Sequence, residues 1–195
     1  MDTLTFIGTA TTIIKLGSFT LLTDPNFLHR GQRAYLGKGL WSRRLTEPSM
    51  QPADLPLLDA IVLVHLHGDH FDRVARAGLG RDQPVFTTPN AARRLRTWNF
   101  AAHGLQTMQQ ETLTRGDETL TIEALPGLHA RGVMGALLPP VMGSLLTRRR
   151  DGVQRTVYLS GDTLTGSHIS DIHARHREID VTVMHLGGTR VLSTP

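Results

Sequence analysis

Four side chains able to bind a metal fall within six residues, in His65-Leu66-His67-Gly68-Asp69-His70. His65 and His67 are two apart, so at the end of an extended strand their rings project to the same side. Asp69 and His70 follow where the chain turns and reach a neighbouring point. Burying four such groups without a cation is costly, because unpaired polar and ionisable groups are penalised away from water. The segment is therefore expected to hold a metal. A solvated loop with chance histidines is the plainer alternative. The residues just before it argue against that: Ala60-Ile61-Val62-Leu63-Val64 is a short apolar run that reads as a strand buried on both faces.

The elements that must position this segment follow from periodicity and turn chemistry. Residues 3–24 read as a strand meander broken at Gly17-Ser18 and ending at Asp24-Pro25. Residues 26–58, rich in Gly and Pro and carrying Tyr35 and Trp41, read as a long irregular loop, either a surface excursion or a pocket lid. After the histidine-rich segment, Phe71, Val74, Ala75 and Leu79 fall at helical spacing, and Gly78 and Gly80 end the helix. Val85 to Thr87 reads as a strand, and Thr88-Pro89 as the cap and first turn of a helix through Trp98. Strands return from about 110 to 125 around a Gly116-Asp117 turn. A Gly/Pro-rich loop at 126–142 carries His129, flanked by Met134, Leu137, Leu138 and Met142 as pocket lining or loop anchors. A hairpin closed near Asp151-Gly152 leads to Ser160-Gly161-Asp162-Thr163; a helix over 167–177 and a strand over 181–184 follow. This order predicts two sheets with helices outside, an α/β (α+β) sandwich, and argues against a Rossmann domain, since no G-x-G-x-x-G follows the first strand.

Composition narrows the chemistry. A chain of 195 residues is one domain or slightly more and can build its own core. With no cysteine, disulfides, thiolate metal sites and cysteine nucleophiles are excluded, so any metal is held by His, Asp and Glu. The formal charge is +4, and 19 of the 21 basic residues are arginine. Arginine suits phosphate or carboxylate partners, but so mild a net charge does not favour nucleic acid. No apolar run approaches the roughly 18–20 residues of a membrane span, and no secretory signal is readable, which predicts a cytoplasmic location. Neither a Gly-x-Ser-x-Gly nor a phosphate-loop pattern is present.

The segment His65-Leu66-His67-Gly68-Asp69-His70 followed by Phe71-Asp72 resembles the signature of the metallo-β-lactamase superfamily. Leu22-Thr23-Asp24-Pro25, Phe71-Asp72 and Val181 to Met184 followed by His185-Leu186-Gly187-Gly188 resemble the branch with the ascorbate phosphate lactonase and the N-acyl-phosphatidylethanolamine phospholipase D. The resemblance implies a single αββα sandwich over 1–195, with His65, His67 and His129 at one metal and Asp69 and His70 at a second. Asp162 would bridge the two. The implied cofactor is a divalent pair, two zinc ions with manganese or iron as alternatives. Two metals about 3.5–4 Å apart share a hydroxide of lowered pKa that attacks a carbonyl or phosphoryl centre. Asp69 is also the candidate catalytic residue, orienting that hydroxide or relaying its proton. Asp24 would hold a ligand imidazole in one tautomer, or serve only as a turn residue before Pro25. The family's further histidine, beyond the bridging aspartate, has no counterpart after His185. The fold is thus expected to be C-terminally truncated and the second site weak or empty. His185 is the candidate replacement ligand or substrate contact. The expected function is a hydrolase of an ester, lactone or phosphodiester acting on a small molecule. A metal-binding module without turnover, and a nuclease of the same fold, are the alternatives. An exposed sheet edge would also favour a homo-oligomer.

Overall fold

The computed structural model describes residues 1–132 and 138–186. Strands β1 (Thr3–Gly8), β2 (Thr11–Leu16) and β3 (Phe19–Thr23) form the expected antiparallel meander. The segment read as irregular contains a hairpin of its own, β4 (Arg33–Gly37) and β5 (Leu40–Arg43), and a short 3-10 turn at Pro52–Asp54. Its tight connection is possible because Gly37, Lys38 and Gly39 all take positive φ, at 86°, 52° and 80°. Then follow β6 (Ala60–Val62), α1 (Arg73–Gly78), β7 (Val85–Thr87), α2 (Pro89–Arg96) and β8 (Ala102–Gly104). Strand β8 was not anticipated. Strands β9 (Gln110–Arg115), β10 (Glu118–Pro126), β11 (Met142–Arg150) and β12 (Val153–Leu159) form the second run, and α3 (Ser167–Arg175) leads to β13 (Val181–Val183).

The first sheet has the order β1-β2-β3-β6-β7-β8, antiparallel in the meander and parallel from β3 onward. The second has the order β13-β12-β11-β10-β9, antiparallel except for the β12–β13 pair. The inner faces meet through Ile14, Phe19, Leu21, Val62 and Phe86 from the first sheet and Leu120, Ile122, Leu146 and Val157 from the second. The outer face of the first sheet packs Ile13, Leu22, Ile61 and Leu63 under Ala75, Leu79, Ala92 and Leu95 of the α1–α2 layer. Leu125, Leu145 and Tyr158 on the outer face of the second sheet meet Ile172 of α3. The result is the four-layer αββα sandwich. No helix among the described residues is long and apolar enough to cross a membrane.

Strand β6 and the two residues after it, all buried, run straight into the histidine-rich segment. Asp72 ends that segment and caps α1: its Oδ1 accepts from Ala75 N at 2.7 Å. Its Oδ2 accepts from Phe27 N at 2.6 Å and Leu28 N at 2.7 Å, so one buried carboxylate ties the loop after β3 to the start of α1. Replacing Asp72 by Ala leaves three N–H groups without their acceptor. The expected cost is about 3 kcal/mol, read as a lowered urea midpoint; an unchanged midpoint would contradict this role.

Candidate metal centre

The strand β6 delivers His65 at its exit, where it is fully buried, and the chain then turns through His67 and His70. Gly68 makes that turn fit. Its N–H donates to Tyr35 O at 2.8 Å, and a Cβ there would stand 2.7 Å from Tyr35 N. The β4–β5 hairpin is thus docked on the loop, and Gly37 lies against the His67 ring. Asn26 braces the loop from the other side: its Nδ2 donates to Gly68 O at 2.8 Å, while its Oδ1 accepts from the buried Arg44 guanidinium. Burial lowers the pKa of Arg44, with Asp72 and Glu47 opposing the shift.

Five of the eight singled-out side chains come together in two overlapping trios. His65 Nε2 lies 2.8 Å from His67 Nδ1, and His65, His67 and His129 each offer a ligand atom within 4.8 Å of the others. His129 Nδ1 is 3.1 Å from Pro139 O, which can only accept. Nδ1 therefore carries the proton, and the Nε2 lone pair is left facing the cluster. A second trio, His65, His70 and Asp162, meets the same spacing. Asp162 Oδ2 is 3.1 Å from His70 Nε2, 3.9 Å from His129 Nε2 and 4.0 Å from His65 Nε2, so it stands between the two groups. Gly161 makes this approach possible: it takes φ of +59°, and a Cβ there would sit 2.6 Å from the Val64 methyls.

Asp24 and His185 flank the second trio. Asp24, at a left-handed φ of 39°, accepts from Val64 N at 2.9 Å and places the same oxygen 3.2 Å from His70 Nδ1. His185 follows β13, whose parallel pairing with β12 brings it in; its N–H donates to Ser160 Oγ at 2.9 Å and its Nε2 lies 3.6 Å from Asp162 Oδ1. Asp69 belongs to neither trio. Its Oδ1 is buried without a hydrogen-bond partner among the described residues, and the residue lines a cleft of about 1050 Å³ together with Asp24 and His185.

The electrostatics reflect crowding of imidazoles around one carboxylate. Burial pushes the His65 pKa well below its ordinary value, with His70 and His67 adding to the effect. Burial also lowers His67, against the pull of Asp69. For His70 burial opposes the charged form, but Asp24 and Asp162 outweigh it and hold the pKa well above the ordinary value. Burial opposes ionisation of Asp162 too, yet His70, His185 and His65 keep its carboxyl far below the usual carboxylate range.

A divalent cation fits this donor set. The buried His70 Nε2 and the Asp69 carboxylate oxygen have no hydrogen-bond partner among the described residues, His65 Nε2 meets another imidazole nitrogen at 2.8 Å, and neutral imidazoles with carboxylates are the ligands that zinc, manganese and iron accept.

The remaining histidines lie apart from the cluster. His29 pairs with Glu47 at 3.0 Å on the surface, His103 lies against Phe86, and His176 Nε2 is 3.6 Å from Glu123. His168 Nε2 meets Thr163 Oγ1 at 2.8 Å and so braces the Asp162 turn. Of the residues flanking His129, Met142 packs in the core between the sheets, whereas Met134 and Leu137 lie outside the described residues. The sequence reading missed Asn26 and Arg44. Their partnership spans 18 positions, and no local pattern announces it.

Three comparisons place this architecture among known proteins. A protein of Mycobacterium tuberculosis is 26% identical over 185 residues, covering 93% of this chain and 48% of its own length. The mitochondrial N-acyl-phosphatidylethanolamine-hydrolyzing phospholipase D of Saccharomyces cerevisiae is 25% identical over 179 residues, 89% of this chain and 36% of that one. The chain thus spans about half the length, or less, of these curated relatives. The crystal structure of an isothiocyanate hydrolase from Delia radicum gut bacteria superposes with a TM-score of 0.77 at 24% identity, covering 97% of this chain and 73% of that one. Residues 20–193 match the family described as the Beta-lactamase superfamily domain, and with the sandwich and the histidine-rich segment in its expected place the chain belongs to that family.

Proposed function

We propose that the chain is a metal-dependent hydrolase of an ester, lactone or phosphodiester in a small-molecule substrate. The observation that carries this reading is the convergence of His65, His67 and His129 beside His65, His70 and Asp162, with Asp162 between the two groups. His65, His67 and His129 would hold one cation, and Asp69 and His70 a second, with Asp162 shared. Zinc is the expected metal, manganese or iron the alternatives. When bound, such a pair supplies Lewis acidity and makes water a competent nucleophile near neutral pH.

The chain's own groups then do the rest. Asp24 holds His70 by its Nδ1, which leaves Nε2 free to ligate. Pro139 O fixes the His129 tautomer in the same way. Asp69, which lines the cleft and has a buried Oδ1 without a partner among the described residues, would orient the attacking water or relay its proton to the leaving group. His185, beside Asp162 and His70, completes the second group or touches substrate.

The test is metal content together with turnover. Two divalent ions per chain are expected, with hydrolysis of a generic phosphodiester or lactone that chelation abolishes and metal restores. His67→Ala should lose one ion and at least about 100-fold in rate, since losing even a ligand's supporting partner costs up to about 100-fold. One ion or none, with no turnover on either substrate, would instead mark a metal-binding module. His185→Ala should lower occupancy of the second ion or raise KM. Unchanged metal content and unchanged KM would remove His185 from the site.

A further inference from the structure

The protein's positive charge is concentrated on one face. Between Arg73 and Trp98 the chain carries six arginines, at 73, 76, 81, 93, 94 and 96, and a single acidic residue, Asp82. That stretch holds a formal +5 in a chain whose total is +4, so everything else sums to about neutral. The six lie on α1, on the turn after it and on α2, in the layer outside the first sheet. Among the described residues the arginine ion pairs involve Arg115, Arg148 and Arg150, none of the six. Residues 133–137 and 187–195 contain no Asp or Glu that could neutralise them.

Four of the six guanidinium groups are held in place by rings and carbonyls without being neutralised. Arg76 and Arg94 lie over the same Trp98 ring, at 4.1 and 5.2 Å from its centroid. Arg81 sits 4.0 Å over Phe100 and donates to Leu79 O at 2.7 Å and Arg76 O at 2.6 Å. Arg96 Nε donates to Ala102 O at 2.8 Å. Rings and carbonyls fix position but leave the charge uncompensated, so an anion met here finds donors already arranged.

The form of the patch selects the anion. No large apolar side chain between Arg73 and Trp98 is exposed, so an apolar partner has nothing to grip. The Trp98 ring is occupied by guanidinium groups, so it offers no platform for a nucleobase. What remains is a set of phosphate-matching forks spread over two helices and a turn, an area rather than a stripe. We infer that the α1–α2 face docks the protein on the surface of an anionic phospholipid bilayer. Arginines near such a surface each contribute about fivefold to partitioning, and the effect fades within a Debye length of about 8–10 Å. Helix α1 begins three residues after His70, so docking anchors the segment that carries the candidate centre.

Vesicle sedimentation of the full chain tests this. Binding is expected to phosphatidylcholine vesicles containing phosphatidylglycerol, not to phosphatidylcholine alone, and is expected to weaken as salt is raised. The exposed pair Arg73→Glu with Arg93→Glu takes the face from +5 to +1 and should weaken binding at least tenfold, with an unchanged melting temperature showing that the fold is kept. Arg149→Glu with Arg155→Glu makes the same change in net charge on β11 and β12 and should retain binding. No binding to the anionic vesicles, equal losses in the two double variants, or binding to a DNA duplex but not to vesicles would each overturn the inference.

Discussion

His65 and His70 are wholly buried, and His65 Nδ1 and His70 Nε2 have no hydrogen-bond partner among the described residues. Leaving such groups without partners costs about 1–3 kcal/mol each, so the surrounding structure must hold them there. It does so from several directions. The strand β6 and the residues after it, sealed between α1–α2 and the second sheet, fix where His65 emerges. Asp24 adopts a left-handed backbone that lets its carboxylate bind Val64 N and face His70 at once. Strain of this kind persists where the surroundings over-determine it, and such places gather at functional sites.

Small residues permit the close approaches at this point. Gly161 allows the turn carrying Asp162 to press on Val64, and Gly68 allows the β4–β5 hairpin to press on the histidine-rich loop. The second sheet contributes Asp162 and His185, and the loop after β10 contributes His129, so no single element owns the cluster. The site is a property of the closed sandwich. A loss of packing between Leu21 or Val62 and Leu120 or Leu146 would be felt as a loss of donor geometry.

Much of this was legible in the residues. The apolar run Ala60 to Val64, the histidines after it and the cap at Thr88-Pro89 behave as their types and spacing require, because each is a local signal. The hairpin at 33–43 was hidden by its short strands and by Tyr35 and Trp41, which are exposed rather than buried and so break the alternation that betrays a strand. Strand β8 has only three residues, too few to show a period. The bracing of Gly68 by Asn26 and Arg44, and the arrival of His185 beside Asp162, depend on pairings between distant segments, which composition and spacing do not encode. The charge segregation, by contrast, is written plainly between Arg73 and Trp98, but it gains meaning only when α1 and α2 are seen to share one layer.

The most direct test of the account is anomalous scattering from crystals grown with zinc. One peak is expected among His65, His67 and His129 at about 2.0–2.1 Å from each nitrogen, and a second peak bordered by His70, Asp69 and Asp162. Zinc bound elsewhere on the chain, with these imidazoles turned away from one another, would contradict it.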